Sequence, residues 1–137
     1  MKIIDKKLKD MRDYWYDTAM NDWKTALSLW NAKRYDANLF FCHLVLEKLL
    51  KGLVIQNTGK PAPYMHDLVE LLHHTKIDAD ELDIKKLANF TSFNIRCRYP
   101  KDKLAFYKLC NRDFSEPYFN EAKKLVVWLK SCYPKNK

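Results

Sequence analysis

Arginine, lysine and histidine side chains carry most of the chemistry this sequence can offer. Arg96 and Arg98 stand directly before Tyr99-Pro100, so their guanidinium groups gather at a chain reversal instead of spreading along a helix face. Such a pair can hold a phosphate bidentately, or it can satisfy the last carbonyls of a helix. Lys101 and Lys103 follow at once, and from Arg96 to Arg112 six Lys or Arg face one acid, Asp102. Tyr99, Phe106 and Tyr107 interleave with these cations. Cations set among aromatic rings suit the phosphate and base of a nucleotide. From Asp67 to Asp83 the balance reverses, with six acids against Lys76. Two solvated faces of opposite sign are the plainer account of that asymmetry.

The histidines are the titratable candidates. His43 lies between Cys42 and Leu44 in an apolar run and reads as an ordinary helix histidine, with no second His or acid at zinc spacing on its face. His73 and His74 are adjacent, diverge on a helix and belong to the surface. His66-Asp67 follows a proline loop and opens a helix, where an acid complements the positive helix end. Local packing or capping is its first reading and catalysis its second. Glu47 and Lys51 are spaced for an i,i+4 ion pair, with Lys48 beside them. That face points to solvent, to a partner subunit or to a ligand. The four cysteines show no Cys-x-x-Cys pair, which argues against a zinc centre or redox couple. No glycine-rich phosphate loop or nucleophile elbow is present, so no metal or cofactor is expected.

These residues have to be positioned by helices. Only two glycines occur in 137 residues, too few for the turns of a many-stranded sheet. One domain spanning residues 1–137 is expected, large enough to bury a core without disulfides. Apolar residues from Met11 to Trp30 recur at helical steps and predict a long helix ending near Asn31. A second helix opens at Asp36 or Asn38 and runs to about Asn57, with Gly59 as its stop signal. Gly52 lies inside it, which calls for close approach of another helix, such as one from a second subunit. Pro61 and Pro63 mark a loop, followed by a short helix over about 66–74. A fourth helix begins near Asp80, carries Leu82, Leu87, Phe90 and Ile95, and stops ahead of Pro100. Residues 101–114 read as an irregular or briefly helical crossing. Ser115 caps the last helix, with Pro117 in its first turn. The expected fold is all-α, an up-and-down antiparallel bundle of four long helices plus one short helix.

No apolar run reaches the roughly 18–20 residues that span a bilayer, and residues 1–10 are too charged for the centre of a signal peptide. A cytoplasmic protein without membrane contact is therefore expected. The net charge of +8 makes polyanions plausible partners.

Taken in order, the motifs resemble the HEPN family, the higher eukaryotes and prokaryotes nucleotide-binding domain. The likeness covers about residues 12–132. It starts at Asp22-Trp23 and Tyr35-Asp36-Ala37 and is strongest from Phe40 to Leu53, where an apolar helix carries Glu47-Lys48 and then Lys51. Gly59, Pro63, His66-Asp67-Leu68 and Arg98-Tyr99-Pro100 follow in the family's order. Three positions depart from the pattern. His43 stands where glutamine is usual, Gly52 where alanine is common, and Lys101 where an acid is often found.

The resemblance implies a homodimer paired through long helices, and a minimal nucleotidyltransferase as partner in a toxin–antitoxin-like system. Many family members are RNases with an arginine followed, after four to six residues, by a histidine. No arginine here has a histidine at that range, which counts against an enzyme of that kind. The preferred expectation is a non-catalytic protein that holds nucleotide or RNA phosphate on Arg96, Arg98, Lys101 and Lys103. Tyr99 would stack beside them, and Lys48 and Lys51 would face the same cleft. A metal-independent RNase using His66 or His43 is the rival. A purely structural interaction module is the third reading.

Overall fold

The computed structural model describes residues 3–135, and among these there are six helices and no strand. They are α1 (Lys6–Asn31), α2 (Tyr35–Thr58), α3 (Leu68–Thr75), α4 (Glu81–Arg98), α5 (Pro100–Leu109) and α6 (Arg112–Ser131). The all-α bundle and its four long helices agree with the sequence pattern. The 101–114 crossing, however, contains a regular ten-residue helix, α5, so the short helices number two. Pro100 explains where α5 starts. Its ring fixes φ for the first helical position, where no backbone donor is needed, and it holds Tyr99 in extended conformation (φ −103°, ψ 125°).

Helix α2 is the axis of the molecule. It packs against α1, α3, α4, α5 and α6, and from Leu49 to Gln56 every residue is buried. A helix that is apolar nearly all round has to be enclosed, and the other five enclose it. Helix α1 is amphipathic and turns only part of its surface to α2. Arg12, Ala19 and Ala26 are buried, Trp23 and Trp30 pack on the core, and Tyr14 and Leu27 remain exposed. The reversal between the two helices needs one positive φ, at Lys33 (61°). Asn38 does not cap α2 as the sequence suggested. It is buried and donates from Nδ2 to the carbonyl of Ala26 at 2.8 Å, fastening α2 to α1.

The helix ends follow short polar side chains. Asp5, Asp67, Asp80 and Asn111 each accept from backbone N–H groups of the first turn they precede. Gly59 closes α2 in the left-handed region (φ 69°), where only glycine avoids a steric cost. Asn111, not Ser115, therefore caps α6; Ser115 is buried inside the helix and Pro117 falls in its second turn. In α4 the inward residues are Leu87, Phe90, Phe93 and Asn94, while Leu82 and Ile95 are exposed. The burial angle is set by an aromatic cluster, Phe93 with Phe106, Phe114 and Tyr118, that joins α4, α5 and α6.

Gly52 has an explanation within one chain. The hydroxyl of Tyr133, just beyond α6, donates to the Leu49 carbonyl at 2.7 Å and lies where a Cβ on residue 52 would stand. The close neighbour is this tyrosine and not a helix from a second subunit. No helix of the described residues is long and apolar enough to cross a membrane.

Candidate functional site

Two groups of polar residues flank the C-terminal end of α4, and they differ in kind. The first is built on α2. One turn apart on its inner face stand His43, Glu47 and Lys51, all buried. Glu47 Oε2 accepts from Lys51 Nζ at 3.1 Å, and Oε1 accepts from His66 Nδ1 at 2.9 Å. His43 Nδ1 lies 3.9 Å from the same carboxylate, too far for a hydrogen bond. Glu47 is thus an acid on His43's own face, one turn away, which corrects the expectation that this face carries no second His or acid. The carboxylate is buried without strain because two donors from two directions meet it.

The loop between α2 and α3 supplies the rest. His43 Nε2 donates to the carbonyl of His66 at 2.9 Å, so α2 holds both the backbone and the ring of residue 66. Asp67 caps α3, and the Leu68 N–H reaches Thr91 Oγ1 on α4 at 3.1 Å. The His-Asp-Leu run therefore ties the loop to α2, α3 and α4 at consecutive residues. Burial is the first cause that lowers the pKa of His43, with the positive charge of Arg98 acting the same way. A donated Nε2–H and a lowered pKa agree on a neutral imidazole. Lys51 Nζ also lies over the Trp15 ring at 5.1 Å and near the Tyr64 ring at 5.9 Å.

The second group is the exposed edge at the α4–α5 junction. Arg98 donates from Nε to Asn94 Oδ1 at 3.3 Å, which leaves its two terminal nitrogens outward. Arg96 turns to the other side and lies over the Phe106 ring at 4.9 Å. The two guanidinium groups do not converge. Tyr99 is 58% exposed, and its carbonyl accepts from Lys103 N at 2.8 Å at the start of α5. Lys101 and Lys103 are exposed, and Lys103 borders a shallow depression with Arg34, Asp36, Pro100, Leu104 and Tyr107. Among the described residues, none of Arg96, Arg98, Lys101 and Lys103 forms an ion pair with a carboxylate. Lys48 and Lys51 are not part of this edge. Lys48 Nζ pairs with Asp22 at 2.6 Å, and Lys51 is committed to Glu47.

A family model for the HEPN domain matches residues 13–132. The chain belongs to the HEPN family. Its fold is similar to the crystal structure of TT1696 from Thermus thermophilus, with a TM-score of 0.76 and 19% sequence identity over 89% of this chain and 98% of that one. No curated protein matches it.

In this HEPN chain the Glu47, Lys51 and His66 positions form one contact set, and Arg98-Tyr99-Pro100 forms the α4–α5 corner. Three contributors were not picked out from the sequence. Tyr64 is 92% exposed and its ring meets His66 edge-on at 5.5 Å between centroids; an aromatic two residues before a histidine in a proline loop was the available signal. Asn94 and Trp15 gave none, since each looks like any other helix residue until the neighbouring chain is in place. His73 and His74 are exposed, as expected. Among the described residues no group of three or more His, Cys, Asp or Glu side chains is arranged to hold a metal ion. Burial raises the pKa of all four cysteines, leaving them as thiols, with Cys97 pushed up to about 11 and Cys110 to about 12.

Proposed function

We propose that this HEPN protein is a non-catalytic partner protein that holds the phosphate of a nucleotide or RNA on the α4–α5 edge. One observation carries the reading: four cations within eight residues lack a carboxylate partner among the described residues, while Lys48 and Lys51 elsewhere are neutralised by acids. Charges left unpaired at a protein surface are available to an anion. Arg98, with Lys101 and Lys103, would meet phosphate oxygens, and the exposed Tyr99 ring would pack beside them. Arg96 would contribute charge from the far side of the corner. The family resemblance adds a homodimer and a minimal nucleotidyltransferase as partner. The exposed apolar side chains Ile95, Leu104 and Tyr107 next to the edge offer area for such an assembly.

Binding of labelled single-stranded RNA, ATP and GTP across a salt series tests this. The Arg96→Ala/Arg98→Ala variant should lose binding while keeping its oligomeric state, and the salt slope for single-stranded RNA should fall by about 0.7 for each phosphate contact removed. Unchanged affinity in that variant would remove the proposed edge.

A further inference from the structure

The depression beside the cation edge has a chemistry of its own. Its volume is about 380 Å³, within the roughly 300–1,000 Å³ of clefts that take small ligands. Pro100, Leu104 and Tyr107 line it from α5, and Arg34 and Asp36 line it from the start of α2. Leu104 and Tyr107 are more than half exposed, so the fold itself does not use their apolar surface. Arg34 holds the N-cap position of α2, where a side chain that can only donate is of no service to the first-turn N–H groups. Among the described residues neither Arg34 nor Asp36 forms an ion pair, with each other or with any other side chain. The charge of Asp36 acts on the thiols of Cys97 and Cys110, which turns its carboxylate toward α4 and α5. Two acceptor oxygens and a fork of donors thus stand side by side, unmatched, next to an exposed aromatic ring.

We infer that this depression is the base subsite of the edge and that it takes guanine. The inference rests on the phosphate-binding reading of the α4–α5 edge and names the base that accompanies the phosphate. Along the rim of guanine the N2 amine and N1–H donate in succession, and O6 and N7 accept directly after them. Asp36 accepts from N1 and N2, and Arg34 donates to O6 and N7. The Tyr107 ring supplies the stacking face. Lys103 lines the depression and belongs to the cation edge, so one residue joins base and phosphate. Adenine, cytosine and uracil each offer a single donor group on this rim, flanked by an acceptor. Against any of them one carboxylate oxygen of Asp36 would meet a lone pair.

The test measures binding of labelled GTP, ATP and XTP to the full chain at fixed low salt. Wild-type protein should prefer GTP over ATP by about tenfold, near the low end of what a bidentate contact to a base edge is worth. Asp36→Asn exchanges one acceptor for a donor, and xanthine carries an oxygen where guanine carries the N2 amine. This variant should therefore lose its preference for GTP and bind XTP more tightly than wild type does. A gain of affinity for one ligand cannot come from a damaged fold. Tyr107→Ala should weaken all three nucleotides to a similar degree. Equal wild-type affinities for GTP and ATP would overturn the inference and leave the edge standing. So would a GTP preference that survives in Asp36→Asn without any gain for XTP. Failure of every nucleotide to bind would also overturn it, and the edge would stand only if single-stranded RNA still bound in a salt-sensitive way.

Discussion

The inner face of α2 and the outer edge of α4–α5 both carry charge, but water is treated differently in the two places. On α2, Glu47 and Lys51 are nearly out of solvent, and each is fixed by named partners at hydrogen-bonding distance. At the edge, Arg98, Lys101 and Lys103 stay hydrated and pair with no carboxylate among the described residues. A desolvated charge has to be matched within the fold or the fold fails. A hydrated one costs the fold almost nothing and is free for a ligand. The comparison separates residues that build the protein from residues that can work on something else, and stability should divide along the same line.

The sharpest break is Glu47→Ala. It leaves Lys51 buried without its counter-charge and releases Nδ1 of His66, so a loss of about 3–5 kcal/mol is expected. Thermal unfolding should show the midpoint falling by roughly 10 °C or more. A change of only a degree or two would mean that water reaches this cluster freely. Next in size is Gly52→Ala, one residue beyond Lys51. A methyl group there collides with the Tyr133 hydroxyl, and overpacking of this kind costs about 1–3 kcal/mol. Tyr133→Phe removes the hydroxyl at the expense of its bond to Leu49. Denaturant unfolding of the double variant should therefore show less damage than the two single losses added together.

Much of this molecule could be read from the chain, and the gaps have a common cause. Helix ends were legible because capping is local: Asp80, Gly59 and the Tyr99-Pro100 corner act within a few residues. The Glu47–Lys51 pair was legible for the same reason, being one helical turn. His66 on Glu47, Tyr133 on Leu49 across Gly52, and Thr91 on Leu68 join residues 19, 84 and 23 positions apart, and no spacing rule reaches that far. Ser115 misled because Asn111, four residues earlier, offers an equally good cap, and its Oδ1 accepts from the Phe114 N–H at 2.8 Å. The cations of the edge were all identifiable, but their divergence at the corner depends on Phe106 drawing Arg96 to one side.

The cluster should also answer to acid. His43 has a pKa lowered from 6.5 by burial, so the unfolded chain binds its proton more readily than the folded one. Its contribution is present above the unfolded value and is lost as pH falls through 6.5 and below. His43→Gln keeps an N–H donor for the His66 carbonyl but cannot titrate. Urea unfolding at pH 5 to 8 should give a flatter stability profile for this variant than for wild type. An identical slope in both proteins would show that His43 does not couple folding to protons.

The smallest effect is expected at the edge, and its smallness is what gives it force. Arg98→Ala/Lys101→Ala/Lys103→Ala removes three charges whose only polar side-chain contact among the described residues is the Arg98 bond to Asn94. Exposed substitutions of this kind stay within about 0.5 kcal/mol each, and relief of mutual repulsion works against even that loss. Unfolding midpoints close to wild type, together with an unaltered oligomeric state, would leave these residues no structural task. A large destabilisation would instead mean that the guanidinium of Arg98 holds the end of α4 closed. The two regions would then be one structural unit, and phosphate would have to be sought elsewhere on the molecule.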